Sequence, residues 1–344
     1  MLMIVAIAAL LMTGTSEVVA PADDGPVNNR MKAPQTITTW PTIERFLKDV
    51  SPAPDLGTLP VRTDLKDAIA LGTRHMNNLF DRDRDNEPFF YSNCMADGTG
   101  KMFHSVNIGI PHVVGRCLLA CMMGEMTAGV PFPEDGLAIF ERYCRSSFDN
   151  PDNLNSYFDP EKGNARFIEF HNMREGLYGL WALAAGRNSA WAREKGHAML
   201  ETLDRITDSE GRWSLQRIEE LGMKDRCFGV SVPNATRLVD ALLAFYDCTQ
   251  DPLAMKLAEL YARRGLAEMY TPEGHFAPMP QSSGHVHSIT SSLSGIAAYA
   301  ARTNNHDLLE ACCRIMDTGV PEYFSSWGWG DEVFPDHPAD VVSR

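Results

Sequence analysis

Residues 167–206 read FIEFHNMREGLYGLWALAAGRNSAWAREKGHAMLETLDRI. After Glu175, as far as Ala185, the first part is apolar on every face, the pattern of a helix surrounded by protein. Gly186-Arg187-Asn188 then supplies a short turn. After it, Met199, Leu200, Leu203 and Ile206 fall on one stripe, and Arg193, Glu194, Lys195, Glu201, Asp204 and Arg205 take the opposite face. That spacing predicts a half-exposed helix. The segment is therefore a helix hairpin with a buried arm and an outer arm.

The same pair recurs along the chain. Leu238 to Tyr246 is apolar except for Asp240, Thr249-Gln250-Asp251 turns, and Leu253 to Met269 is amphipathic. A further pair runs from His287 to Ala301 and from Asp307 to Met316, across the turn Thr303-Asn304-Asn305. An earlier pair covers Val106 to Met126 and Glu134 to Ser147, preceded by a single helix from Asp64 to Phe80. The segments leaving the outer arms match as well. Asp208-Ser209-Glu210-Gly211-Arg212-Trp213 parallels Thr271-Pro272-Glu273-Gly274-His275-Phe276, with glycines 63 residues apart where the chain needs a positive φ. Such units bury their faces only by stacking on neighbours. Alternating inner and outer helices predict an all-α fold, an (α/α) toroid of helix hairpins. The nine helices legible in the sequence fall short of a closed (α/α)6 barrel, so an incomplete ring over residues 61–344 is expected, with 1–60 as a loosely ordered leader.

The composition excludes several functions. The chain has 344 residues, is 44% hydrophobic and 22% charged, and so can bury a large interior. Its formal net charge of -14 repels phosphate backbones and anionic membranes, so neither nucleic acid nor membrane is an expected partner. The apolar run Met1 to Leu11 has the length of a signal core but no positive flank, which fits export and a cytoplasmic location equally. The eight cysteines form no CxxC pair and read as small buried hydrophobes.

In a toroid the loops entering the inner helices meet on one rim of the central cavity, and polar residues gather there. Asn93, Asp97, Lys101 and His104 precede the first inner helix. Glu169, His171, Arg174 and Glu175 open the second, Arg226 with Asn234 and Arg237 the third, and Gln281, His285 and His287 the fourth. The last loop carries Trp327, Trp329, Asp331, Glu332, Asp336 and His337. Each residue alone has an ordinary structural role open to it, such as an N-cap at Asn234 or an ion pair at Arg237. Their recurrence at equivalent positions is the functional signal. His171 and Glu175 are four apart and share a helix face, whereas Glu169 points elsewhere. A carboxyl at Glu175, desolvated by an aromatic wall such as Trp181, would have a raised pKa suited to general acid work. Sugar hydrolysis ordinarily takes two carboxyl groups, so Glu175, Glu169 and Asp331 are the catalytic candidates, with Glu332 or Asp97 as other partners. Trp327 and Trp329 could stack on sugar faces, or anchor their loop.

His285-x-His287 lacks a third ligand for zinc, and Asp81 to Glu87 has Asn86 where a calcium loop needs glycine. The latter reads as a solvated charged turn. No phosphate loop and no nucleophile elbow is present, so no metal or cofactor is expected.

Gly284-His285-Val286-His287-Ser288, with Leu293-Ser294-Gly295-Ile296-Ala297 and the turn Thr303 to Leu309, resembles the β-L-arabinofuranosidase family of glycoside hydrolases. The resemblance implies an (α/α)6 barrel and a sugar contact at His285. That family's zinc-bound cysteine nucleophile and its glutamate have no counterpart here, because Cys312 and Cys313 fall on an outer helix. The expectation is a carbohydrate-active enzyme, a glycoside hydrolase on a plant or algal-type polysaccharide or oligosaccharide. His171, Arg174, Arg226, Asn234, Arg237, Gln281, His285, His287, Trp327, Trp329, Asp97 and His104 would bind the sugar. A polysaccharide lyase or sugar epimerase on the same scaffold, and a non-catalytic helical binding protein, are the alternatives. The oligomeric state is left open.

Overall fold

The computed structural model describes residues 64–94, 100–104, 109–156, 167–225, 235–277 and 286–323. The expected leader and the final loop with Trp327, Trp329 and Asp331 lie outside them. Eleven helices occur among the described residues: α1 (Leu65–Met76), α2 (Gly109–Ala128), α3 (Glu134–Ser147), α4 (Phe170–Arg187), α5 (Ala190–Ile206), α6 (Leu215–Glu220), α7 (Val239–Thr249), α8 (Pro252–Met269), α9 (Val286–Thr303), α10 (His306–Asp317) and α11 (Gly319–Tyr323). The nine long ones are those expected from periodicity, and α6 and α11 are additional short pieces.

Hairpins α2–α3, α4–α5, α7–α8 and α9–α10 stack side by side. Helices α2, α4, α7 and α9 pack against one another in that order as the inner layer, with α3, α5, α8 and α10 outside. The chain is thus an all-α protein, an (α/α) toroid of helix hairpins. Between the layers, Leu118, Met122, Phe140, Leu177, Leu180, Leu183, Met199, Leu203 and Phe245 are fully buried. No helix among the described residues is long and apolar enough to cross a membrane.

Local chemistry sets each hairpin. The inner helices α4, α7 and α9 end on Asn188, Gln250 and Asn304, whose φ values of 51°, 59° and 54° are left-handed. The next residue caps the outer helix: Ser189 accepts from the Ala192 N–H, Asp251 from Leu253 and Asn305 from Leu308. The outer helices α5 and α8 leave through the paired turns. Thr207 bridges Trp213 and Tyr270 bridges Phe276, around Gly211 (φ 81°) and Gly274 (φ 98°). A side chain on either glycine would also strike the next outer helix, at the carbonyl of Leu260 or of Arg314.

Small strands stand outside this frame. β1 (Phe80–Asp81) pairs with β2 (Glu87–Pro88), and β3 (Tyr91–Cys94) with β4 (Gly100–Phe103), both antiparallel. β5 (Phe167–Ile168) runs parallel to β6 (Lys224–Asp225). Phe167–Ile168, expected within the inner helix, is therefore strand, and α4 starts at Phe170. The charged turn of Asp81 to Glu87 is a turn, with Asp85 and Asn86 left-handed. It is not merely solvated, because both its end carboxylates are engaged with His104.

Candidate functional site

Three inner helices bring their N-terminal ends together. Glu169 is the N-cap of α4, in extended conformation, and its Oε2 accepts from the Asn172 N–H at 2.9 Å. That conformation swings its side chain back toward the helix. Glu169 Oε1 lies 2.6 Å from His171 Nδ1, so the two do not point apart as their spacing implied. Across the rim, Arg237 Nη1 lies 2.7 Å from His171 Nε2. Guanidinium only donates, so Nε2 must accept and Nδ1 carries the proton toward Glu169. Arg237 also lies over the Phe170 ring, 4.7 Å from its centroid. From α2, His112 meets His171 edge to face at 5.3 Å.

Glu175 lies one turn farther along α4 and is only 1% exposed. Its Oε1 accepts from Arg116 Nε at 2.9 Å and from the guanidinium of Arg174. Burial alone would raise its pKa, but Arg174 and then Arg116 outweigh burial and hold the carboxyl below the ordinary range. The expected raised pKa is therefore corrected: Glu175 is an ionised anchor between two arginines. Glu169 is the carboxyl that burial raises, against the hydrogen bonds from Asn172 and His171. Burial and the nearby guanidinium groups push both imidazoles far down, His112 to about 3. Arg237 falls to about 9 through burial and the repulsion of Arg174. Deeper in the inner layer, half-buried Asp240 on α7 is raised to about 6, again by burial, with Arg174 opposing.

A cavity of about 320 Å³ opens beside this cluster. Phe89, Phe90 and Met102 form one wall, and His112, Val113 and Arg116 of α2 the other. Phe90 packs on His112 at 5.6 Å. His112 is nine-tenths buried, and its Nδ1 has no hydrogen-bond partner among the described residues.

Of the expected residues, Glu169, His171, Arg174, Glu175 and Arg237 come together. His104 is placed apart from them: Nε2 and Nδ1 meet Asp81 and Glu87 at 2.8 and 3.1 Å, which leaves neither nitrogen for a ligand. Its ring stacks on Phe89 and so supports the cavity wall. His287 lies in the first turn of α9, while Asp97, Arg226, Asn234, Gln281, His285, Trp327, Trp329 and Asp331 lie outside the described residues. Sequence reasoning missed His112 and Arg116, because it sought polar residues before each inner helix and these sit inside one. Their signal was present: they are the charged or titratable exceptions in Gly109-Ile110-Pro111-His112-Val113-Val114-Gly115-Arg116-Cys117-Leu118.

No family model matches the chain, and no curated protein matches it. The β-L-arabinofuranosidase resemblance thus gains no support. Among solved structures, a cellobiose 2-epimerase from Bacillus thermoamylovorans B4167 is similar with a TM-score of 0.48 and 10% identity, over 67% of this chain and 70% of that one. A GH76 α-mannanase from Bacteroides thetaiotaomicron is similar with a TM-score of 0.47 and 11% identity, over 78% and 74%. At this distance neither bears on chemistry, and the fold stands on the packing described above.

Proposed function

We propose that the chain is a carbohydrate-active enzyme whose reaction takes place where the cavity meets the rim of the inner helices. Aromatic walls suit the C–H faces of a sugar ring, and histidine and arginine N–H groups suit its oxygens. Within that class, proton abstraction from a sugar carbon beside a carbonyl or carboxyl group fits best, the chemistry of an epimerase or lyase. One observation carries this choice. Both carboxyl groups at the rim are spoken for by arginine, histidine and backbone donors, whereas the His112 imidazole lines the cavity uncharged. Burial holds the pKa of this imidazole at about 3, which makes it too weak a base by itself. An anionic substrate beside it would raise that value, and it then takes the proton while the electron pair passes onto the adjacent oxygen, where Arg116 stabilises the charge. Returning the proton to either face gives epimerisation; loss of a β-substituent gives elimination.

Hydrolysis is the second reading, and Asp240 favours it. A carboxyl raised to about 6 suits a general acid, although its partner across the bond would come from residues beyond those described.

Incubation of the full chain in deuterated water with neutral and acidic mono- and oligosaccharides discriminates the two. The proposal expects deuterium at a sugar carbon, or an unsaturated product, and its loss in His112→Gln. New reducing ends without carbon-bound deuterium would favour hydrolysis, and full activity of His112→Gln would remove the histidine from the mechanism.

A further inference from the structure

The pairing of charges at the rim is uneven. Arg116 and Arg174 both donate to one oxygen of Glu175, and Glu169 commits its oxygens to His171 and the Asn172 N–H. Arg237 reaches no carboxylate among the described residues. It is 3% exposed, one of its nitrogens donates to a neutral imidazole, and its buried Nε finds no acceptor. A buried guanidinium so placed is costly unless something completes it. Asp240 supplies a third carboxyl, but it acts on Arg174, so Arg237 is the guanidinium left without a direct carboxylate partner among the described residues.

The cluster borders an open space through Arg116 and His112. The Arg116 side chain is half exposed and lines the cavity, with its Nε alone engaged among the described residues. His112, also lining it, stands between the cavity and the His171–Arg237 pair, with its unpaired Nδ1 turned out of solvent reach. The geometry points to a binding site for a carboxylate-bearing sugar. Its carboxylate takes the free edge of Arg116 beside His112, within the field of Arg237, and its ring lies against Phe89 and Phe90. A carboxylate matches the fork of a guanidinium. The sugar half of this assignment rests on the function proposed above. The anion half rests on the unpaired donors alone.

Titration calorimetry of the full chain with D-glucuronate, D-galacturonate, D-glucose and acetate tests it. A sugar acid should bind about tenfold or more tightly than glucose or acetate, the difference a charge-assisted hydrogen bond makes. Arg116→Gln should remove the preference for the sugar acid, so that it binds no more tightly than glucose does to the same variant. Arg116→Lys, which keeps the charge and loses the fork, should fall between. Glu175 keeps Arg174 in both variants, and unchanged melting temperatures would verify that the fold persists. Equal affinity for glucose and sugar acids would overturn the anion site while leaving the sugar reading intact. Acetate binding as tightly as the sugar acids would overturn the sugar half and the proposed function with it. No binding by either sugar acid would overturn the assignment altogether.

Discussion

At the scale of single residues, Glu175 and His112 exchange the roles that their positions in the sequence suggest. Glu175→Gln removes the charge that holds two guanidinium groups, one of them largely buried. A loss of about 3 kcal/mol is expected in urea unfolding at neutral pH, since Arg116 can turn to water but Arg174 cannot. The folded pKa of Glu175 lies below its ordinary 4.5, so its stabilisation is present above that value and lost as pH falls through the folded one. The gap between Glu175→Gln and the parent should therefore narrow in acid; a gap constant with pH would contradict the ion-pair account. His112 behaves in a related way. It titrates near 6.5 when unfolded and near 3 when folded, so between these values the unfolded chain holds the extra proton and stability rises with pH. His112→Asn should flatten that rise by roughly 1 kcal/mol per pH unit at most, as measured by unfolding across the window. An unchanged slope would mean that the imidazole is not desolvated. None of this is legible in spacing alone. Glu175 was found by its place on the helix, but its ionisation depends on Arg116, 59 residues away in the chain. Glu169 was sent to the wrong side because helical geometry was assumed for a residue that is the extended cap.

At the scale of elements, much more was legible, because hairpins are local. The turns at Asn188 and Asn304, and those at Gly211 and Gly274, follow from the preference of asparagine and glycine for left-handed backbone, whereas Gln250 takes the same conformation without that preference. The inner helices follow from their uniform apolarity. What periodicity does not report is how closely two helices approach. Gly115 on α2 faces α4 so tightly that a Cβ there would lie 1.8 Å from the Glu175 carbonyl oxygen. Gly115→Ala must push α4 aside and with it Glu169, His171 and Glu175. A loss of about 2–3 kcal/mol is expected, with activity falling even where the fold persists. Gly72 on α1 has nothing within 4 Å of its would-be Cβ, and Gly72→Ala should instead stabilise by about 0.5–1 kcal/mol. Thermal melts of the pair check this, and similar behaviour of the two variants would refute the close approach. The short strands near the cavity were not foreseen. β3 and β4 contain only four residues each, too few for alternation to stand out from loop composition.

At the scale of the whole molecule, the stacking of hairpins sets where the protein is strong. Consecutive inner helices pack on one another, and outer helices reach mainly their own hairpin and its neighbours. Helices α4 and α7 are therefore covered on both sides along the inner layer, whereas α1 packs chiefly against α2. In such an array stability is approximately a sum over units and the interfaces between adjacent ones. Local opening then costs less where an interface is missing. Native-state hydrogen exchange should find the amides of α4 and α7 the slowest and those of α1 the fastest among the long helices, by about tenfold or more in rate. The consequence for function is direct. The rim residues Glu169, His171, Glu175 and Arg237 belong to the two best-supported inner helices or immediately precede them, while the cavity wall of Phe89 and Phe90 lies in the segment between α1 and α2. Chemistry would then sit on the rigid part, and the wall that admits a ligand on the softer one. A sugar acid bound between them should slow exchange at the amides of Glu87, Phe89 and Phe90 more than at those of α4. Uniform exchange throughout the helices would mean that the hairpins open as one cooperative unit, and protection confined to α4 would place the ligand away from the aromatic wall.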